Sequence, residues 1–153
     1  MSRGPVTEEG KRRSALNGIR HGLLAKCVVL ENEKRENFEE LFQQHIDRLD
    51  PQGGMELGFL EKMAAADWKL RRLWAIETQM FNDSVNAESD TVGELKRIES
   101  AFAKLAETQK FNVLQRYETR LDRIYHRQLR SLLELRKESP LEEVAEEEPG
   151  EPT

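Results

Sequence analysis

Cys27 is the only cysteine of the chain. One thiol excludes an internal disulfide and a cysteine-rich zinc site within one chain, and it fits a reducing compartment. Long apolar runs are missing as well. No stretch approaches the roughly 20 apolar residues that a membrane-crossing helix needs, and Arg12, Arg13, Arg20 and Lys26 interrupt the first thirty residues where a signal peptide would place its apolar core. The expectation is a soluble, cytoplasmic protein with no membrane partner. Catalytic constellations are also wanting: no Ser, His and Asp grouping, phosphate-cradling glycine loop or convergent carboxylate pair stands out. His21, His45 and His126 are the only histidines, too few and too dispersed to build a metal site. The chain reads as non-enzymatic, with no cofactor and no metal.

Glycine and proline are absent from residues 94–138, and this absence is constructive. Nothing in that stretch breaks a helix, and strong helix formers crowd it. A continuous helix there would be roughly 65 to 70 Å long at 1.5 Å per residue. With 35% charged and 37% apolar residues, the composition suits long helices better than a thick globular core. The pattern predicts an all-α fold: an antiparallel, coiled-coil-like hairpin of long helices with a shorter helix packed beside them, a basic N-terminal arm and a disordered acidic C-terminal tail. Residues 1–31 form the arm, with residues 1–10 mobile, a short helix from Ser14 to its stop at Gly22, and an apolar connector after it. Residues 32–139 form the helical domain, with helices near 33–49, 55–81 and 92–138. The first starts from Asn32 as N-cap, and Thr91 with Glu94 makes a capping box for the last. Residues 140–153 form the tail. Counting back along the hairpin puts the end of its second helix near Gln115, which leaves the rest of the long helix for the first helix or another subunit to cover. Two faces to bury on so thin a molecule also favour a homo-oligomer or a helical protein partner.

The net charge of −5 conceals segregation. Residues 1–26 carry +4, and residues 140–153 carry −6 with no basic residue. Within the long helix Arg116, Arg120, Arg123, Arg127 and Arg130 recur at spacings of four, three, four and three, which confines them to a sector of roughly 80°. Leu114, Leu121, Tyr125, Leu129 and Leu132 form an apolar seam on the other side. Surface arginines commonly pair with a carboxylate three or four positions away. Arg116, Arg120, Arg123 and Arg127 have none at those offsets, and Arg130 has only Glu134. The stripe therefore looks beyond its own helix for anions.

Lys11, Arg12, Arg13, Arg20 and His21 make a second basic patch near the N-terminus. The run from Ser14 to Lys26, with Asn17, Gly18, Ile19, Arg20, His21, Gly22 and Leu23 at its centre, resembles an Asn, small, any, basic, His, Gly, Leu signature near the start of uncharacterised bacterial proteins. Some of these are associated with phage and mobile elements and are similar to terminase small subunits. The resemblance spans about a dozen residues and implies DNA handling.

Three readings compete for the arginine stripe. It can face Glu36, Glu39, Glu40 and Asp47 of the first helix in an inter-helix ion-pair network. It can neutralise successive phosphates of a nucleic acid, with DNA favoured over RNA. Or it can bind a protein, the whole chain being a helical scaffold. Sparse aromatics, at 7%, argue against base stacking. The preferred expectation is a nucleic-acid-binding accessory protein that contacts mainly the phosphate backbone.

Overall fold

A computed structural model describes residues 6–138. Five helices follow one another: α1 (Glu8–Val28), α2 (Arg35–Leu49), α3 (Gly54–Asn86), α4 (Glu94–Ala106) and α5 (Gln109–Glu138). The fold is all-α, with no strand among the described residues. The proposed tail, residues 140–153, and residues 1–5 of the expected mobile start lie outside the described residues, while Glu8–Gly10 of that start are helical.

The helical hairpin is made by α3 and α5. Three polar links along their antiparallel seam set the register: Trp74 Nε1 donates to Glu118 Oε1 at 2.8 Å, Gln115 Nε2 to Glu77 Oε1 at 2.8 Å, and Arg136 Nη2 to Glu56 Oε2 at 2.7 Å. Below the seam Phe38 and Phe42 of α2, Ala25 and Val28 of α1, Leu57, Leu60 and Ala64 of α3, and Leu132 of α5 form the main core. A smaller cluster of Ala66, Leu70 and Leu121 continues it along the hairpin. The helix α3 packs against each of the other four helices, so it is the central one. It lies between α1 and α5, which make no backbone approach to each other.

The long helix expected over 92–138 is two helices. Thr108 ends one and starts the next: its Oγ1 donates to Leu105 O at 2.7 Å and accepts from Phe111 N at 3.2 Å, the latter an N-cap bond. Asn112 Nδ2 donates to Thr108 O at 3.0 Å. Packing supplies the reason for the break. In an unbroken helix Phe102 and Phe111 would point about 180° apart. Here both reach Phe81, with ring centroids at 6.4 and 5.9 Å and 6.3 Å between the two. Three rings meet only if the helix breaks, and sequence-local signals do not report that gain. Because α4 takes up the intervening residues, the register shifts: α3 runs beside the whole of α5 rather than ending near Gln115.

Other boundaries also move. The helix α1 starts at Glu8, capped by Thr7, whose side chain accepts from Gly10 N at 3.1 Å, and continues through Gly22 to Val28. Gly22 is not a stop; a Cβ there would meet the Arg35 side chain at 3.2 Å, so the residue permits close approach to α2. The N-cap of α2 is Lys34, not Asn32, and makes no side-chain cap bond. The turn before it is closed instead by Glu33, whose Oε2 accepts from Leu30 N at 2.9 Å. The helix α3 runs on to Asn86, past the expected end at Phe81, and Arg97 Nη2 of α4 donates to Val85 O at 3.0 Å near its end. The N-cap of α4 is Gly93, not Thr91, whose hydroxyl lies 2.8 Å from that of Ser89. Between α2 and α3, Asp50 (φ 40°) and Gly53 (φ 102°) turn the chain around Pro51. At φ 102° only glycine is unstrained.

Glu33 ties the α1–α2 turn to α3. Its carboxylate accepts from Arg72 Nε at 2.6 Å, Arg72 Nη2 at 2.8 Å and Trp68 Nε1 at 2.9 Å, while Arg72 Nη2 also donates to Val28 O at 2.6 Å. The hydrogen bonds from Arg72 lead in holding the Glu33 carboxyl far below its ordinary 4.5, at about 2. A depressed carboxyl contributes stability that is full above its unfolded value and disappears as pH falls through the folded one. At about 1.36 kcal/mol per pH unit the upper bound is on the order of 3 kcal/mol, and solvent screening at the edge of the site lowers it to about 2 kcal/mol. Glu33→Gln is expected to be less stable than the parent by that order at pH 7. The two chains converge as pH falls from 4.5 to about 2, as read by urea unfolding at a pH series.

Candidate functional site

The helix α5 shows two faces of different chemistry. Phe111, Leu114, Leu121 and Leu132 are buried against the rest of the fold, as the apolar seam predicts. Arg116, Arg120, Arg123, Arg127 and Arg130 are all exposed on the side turned away from α3. Among the described residues none of the five has a carboxylate within 4.0 Å. The inter-helix network considered from the sequence does not form. Instead Glu39 binds Arg35 Nε at 2.6 Å and Asp47 accepts from Gln43 at 2.7 Å, both within α2.

Most of the other described arginines differ. Arg20, Arg35, Arg71, Arg72, Arg97 and Arg136 each hold a carboxylate, and only Arg12, Arg13 and Arg48, scattered over α1 and α2, do not. Asp67, which interrupts the apolar pattern of α3, pairs with Arg71 at 3.3 Å. Arg136 follows Arg130 by six residues on the same helix, yet it binds the buried Glu56 and donates to Leu49 O at 2.5 Å. Hydrogen bonds from Arg136 lower the Glu56 carboxyl pKa despite burial. Arg136 lies on the structural side of α5, and the five stripe residues do not.

A shallow hollow of about 1070 Å³ follows the stripe. Its wall comes entirely from residues 107–127: Arg116, Arg120, Arg123 and Arg127, with Gln109, Asn112 and Thr119 among the neutral residues. It is a groove along one helix face, not a cleft between elements. Charge spacing alone does not single out those three neutral residues, although Asn112 stands one turn before Arg116 and Thr119 between Arg116 and Arg123 on the same face. Arg130 lies beyond the groove. Four guanidiniums converging on one open hollow, with no internal counter-charge among the described residues, can receive several negative oxygens at once.

The N-terminal patch is arranged otherwise. Lys11, Arg12 and Arg13 are exposed on the first turns of α1, with Lys11 Nζ 3.0 Å from Glu8. They stand on a helix and not on a mobile arm. Arg20 and His21 turn inward. Arg20 Nε binds Glu61 of α3 at 2.8 Å. The His21 ring packs on Phe42 with centroids 4.5 Å apart, and its Nε2 is buried without a partner. Burial leads in lowering the His21 pKa below 6.5, against the opposing pull of Glu39 and Glu61. The imidazole is therefore neutral at pH 7 and adds no charge to the patch. The two basic patches stand on different helices whose backbones make no approach to each other.

Among the described residues no group of three or more His, Cys, Asp or Glu is placed to hold a metal ion, and no helix is long and apolar enough to cross a membrane. Compared with known proteins, the chain matches no family model, no curated protein and no solved structure.

Proposed function

We propose that this protein is a non-enzymatic accessory factor that binds nucleic acid through its phosphate backbone, with DNA favoured over RNA. The single observation behind this reading is the row of exposed guanidiniums on α5 that lack a carboxylate partner, in a chain whose other arginines on packed faces are paired. A straight helix presents them at alternating steps of about 6 and 4.5 Å, a linear cationic track suited to a linear polyanion. Phosphate contacts of this kind position a protein without reading bases, so sequence preference is slight. Lys11, Arg12 and Arg13 of α1 add a second, separate point of attachment. The short run around Asn17 to Leu23, which resembles bacterial proteins associated with phage and mobile elements, supports DNA as the polymer.

The test is fluorescence anisotropy with duplex DNA, single-stranded DNA and RNA of equal length. Five neutralised phosphates on duplex DNA give a slope of log affinity against log salt near about −4.5, so affinity falls about 500-fold between roughly 50 and 200 mM salt. Absence of binding at about 50 mM salt, where such contacts are strongest, rejects the proposal.

A second reading has its own observation. Leu16, Ile19 and Leu23 lie on one exposed face of α1 at 58 to 61% accessibility, and Leu95, Ile98 and Phe102 make a similar face on α4. Apolar faces of this kind suit a helical scaffold that assembles with itself or with a protein partner. In that case raised salt leaves assembly intact or strengthens it, and nucleic acid has no effect.

A further inference from the structure

The stripe's missing counter-charge exists in the same chain. Residues 139–153 contain Glu142, Glu143, Glu146, Glu147, Glu148 and Glu151 and no basic residue. They continue directly from α5, the helix that bears the stripe. We infer that this acidic C-terminal segment docks in cis on the arginine groove of α5, where it competes with nucleic acid for the same guanidiniums.

Reach permits the contact. From Glu138 back to Arg116 is 22 residues of helix, about 33 Å at 1.5 Å per residue. The fifteen residues beyond Glu138 span up to about 50 Å when extended, so the glutamates can cover the stripe from Arg130 to Arg116. Tethering gives the segment a millimolar effective concentration, which compensates for the weakness of each exposed ion pair. Charge favours this groove over the N-terminal patch. On α1, Glu8 already holds Lys11 and Arg20 is held by Glu61, so only Arg12 and Arg13 of that patch are without a carboxylate among the described residues, and Glu8 and Glu9 precede them on the same helix. On the groove, Arg116, Arg120, Arg123 and Arg127 are unpaired among the described residues. The only carboxylate lining it is Glu107, at its far end.

Such a segment changes what the protein selects. A short or weak anion has to compete with a tethered polyanion, whereas a long nucleic acid engaging the whole row displaces it. The docking rests on reach and charge; the competition rests on the nucleic-acid reading above.

The test separates the two. A spin label is placed at the end of the full chain through Thr153→Cys in a Cys27→Ser background, and paramagnetic broadening of backbone amides is recorded. Broadening confined to residues 112–130 at about 50 mM salt, relieved at about 500 mM salt and absent when Arg120, Arg123 and Arg127 are changed to Gln, is the expected result. Broadening on α1 instead, or none, overturns the inference. In parallel, a variant with all six tail glutamates changed to Gln is titrated with a duplex of about 20 base pairs. It is expected to bind about tenfold more tightly than the parent at about 50 mM salt, with the difference shrinking as salt rises. Equal affinity of the two proteins overturns the competition. If broadening appears on the stripe but neither protein binds duplex, the docking stands and the nucleic-acid reading falls.

Discussion

Replacing Arg120, Arg123 and Arg127 together with Gln is expected to reduce duplex affinity at about 50 mM salt by roughly a hundredfold or more and to flatten the salt slope from about −4.5 to about −1.8, as each lost phosphate contact removes about 0.9 from the slope. The slope is the more telling quantity. A general loss of folded protein lowers the apparent affinity without changing how it responds to salt, while removal of three phosphate contacts changes both. The fold is expected to survive because all three side chains are exposed and make no ion pair with a described residue; Gln is also a good helix former. Unfolding by urea should therefore shift by less than about 0.5 kcal/mol, the ordinary range for surface substitutions. Changing Arg136 to Gln provides the opposite control. It removes a cation from the same helix, but one that binds Glu56 and two backbone carbonyls of the α2–α3 turn, so stability falls while the salt slope keeps its value. If the triple variant retains a slope near about −4.5, the phosphate contacts lie elsewhere, and the first turns of α1 become the next place to look.

The largest effect on stability is expected from Phe42→Ala. Phe42 is fully buried, packs on His21 of α1 and on Phe38, and belongs to the cluster that joins α1, α2, α3 and Leu132 of α5. Truncating a buried Phe costs about 3 to 5 kcal/mol through lost transfer free energy and the cavity left behind. This is a large fraction of the roughly 5 to 15 kcal/mol that separates folded from unfolded domains. The damage should be local before it is global. α1 has a largely polar surface and only Ala25 and Val28 are buried in it, so its docking depends on the cluster that Phe42 fills. Hydrogen exchange of α1 amides is expected to accelerate most in this variant, with the amides of α5 around Leu114 and Leu121 affected less. Phe42→Leu, which keeps most of the volume, should recover the greater part of the loss. A cost below about 1 kcal/mol for Phe42→Ala, well under the range for a buried Phe, would show that the α1–α2–α3 junction is not the main core.

The arginine stripe is legible in the amino-acid sequence because spacings of three and four on an uninterrupted helix place residues on one side regardless of what packs on the other. The apolar seam follows from the same arithmetic, and Leu114, Leu121 and Leu132 are buried. The pairing of Asp67 with Arg71 is local in the same sense, one helical turn apart. Periodicity is a property of the backbone, and a sequence without Gly or Pro from 94 to 138 carries it undisturbed. What that sequence does not carry is the break at Thr108. The residues around it are compatible with helix, and the gain from breaking comes from Phe81, a distant residue on another element. The register of the hairpin depends on that break, so keeping the helix whole also misplaces the end of α3 relative to Gln115.

Charge tells the same story at the level of the site. Composition alone establishes which residues are cationic and that the two ends of the chain bear opposite signs. Only tertiary structure sorted the cations into those that hold the fold and those that are free to act. Arg20 and His21 look like members of a basic patch in the sequence, yet one is held by Glu61 and the other is neutralised by burial against Phe42. Arg136, on the same helix but six residues past Arg130 and so off the stripe's sector, is bound to Glu56. The physical reason is that helical periodicity is fixed by bonds between near neighbours, whereas the partner of a charge is fixed by whichever residue the packing of distant segments brings within a few ångströms. Local residue order is enough for an all-α chain with a row of arginines along one helix face; it took the packing of α1, α2 and α3 to leave those arginines without a partner.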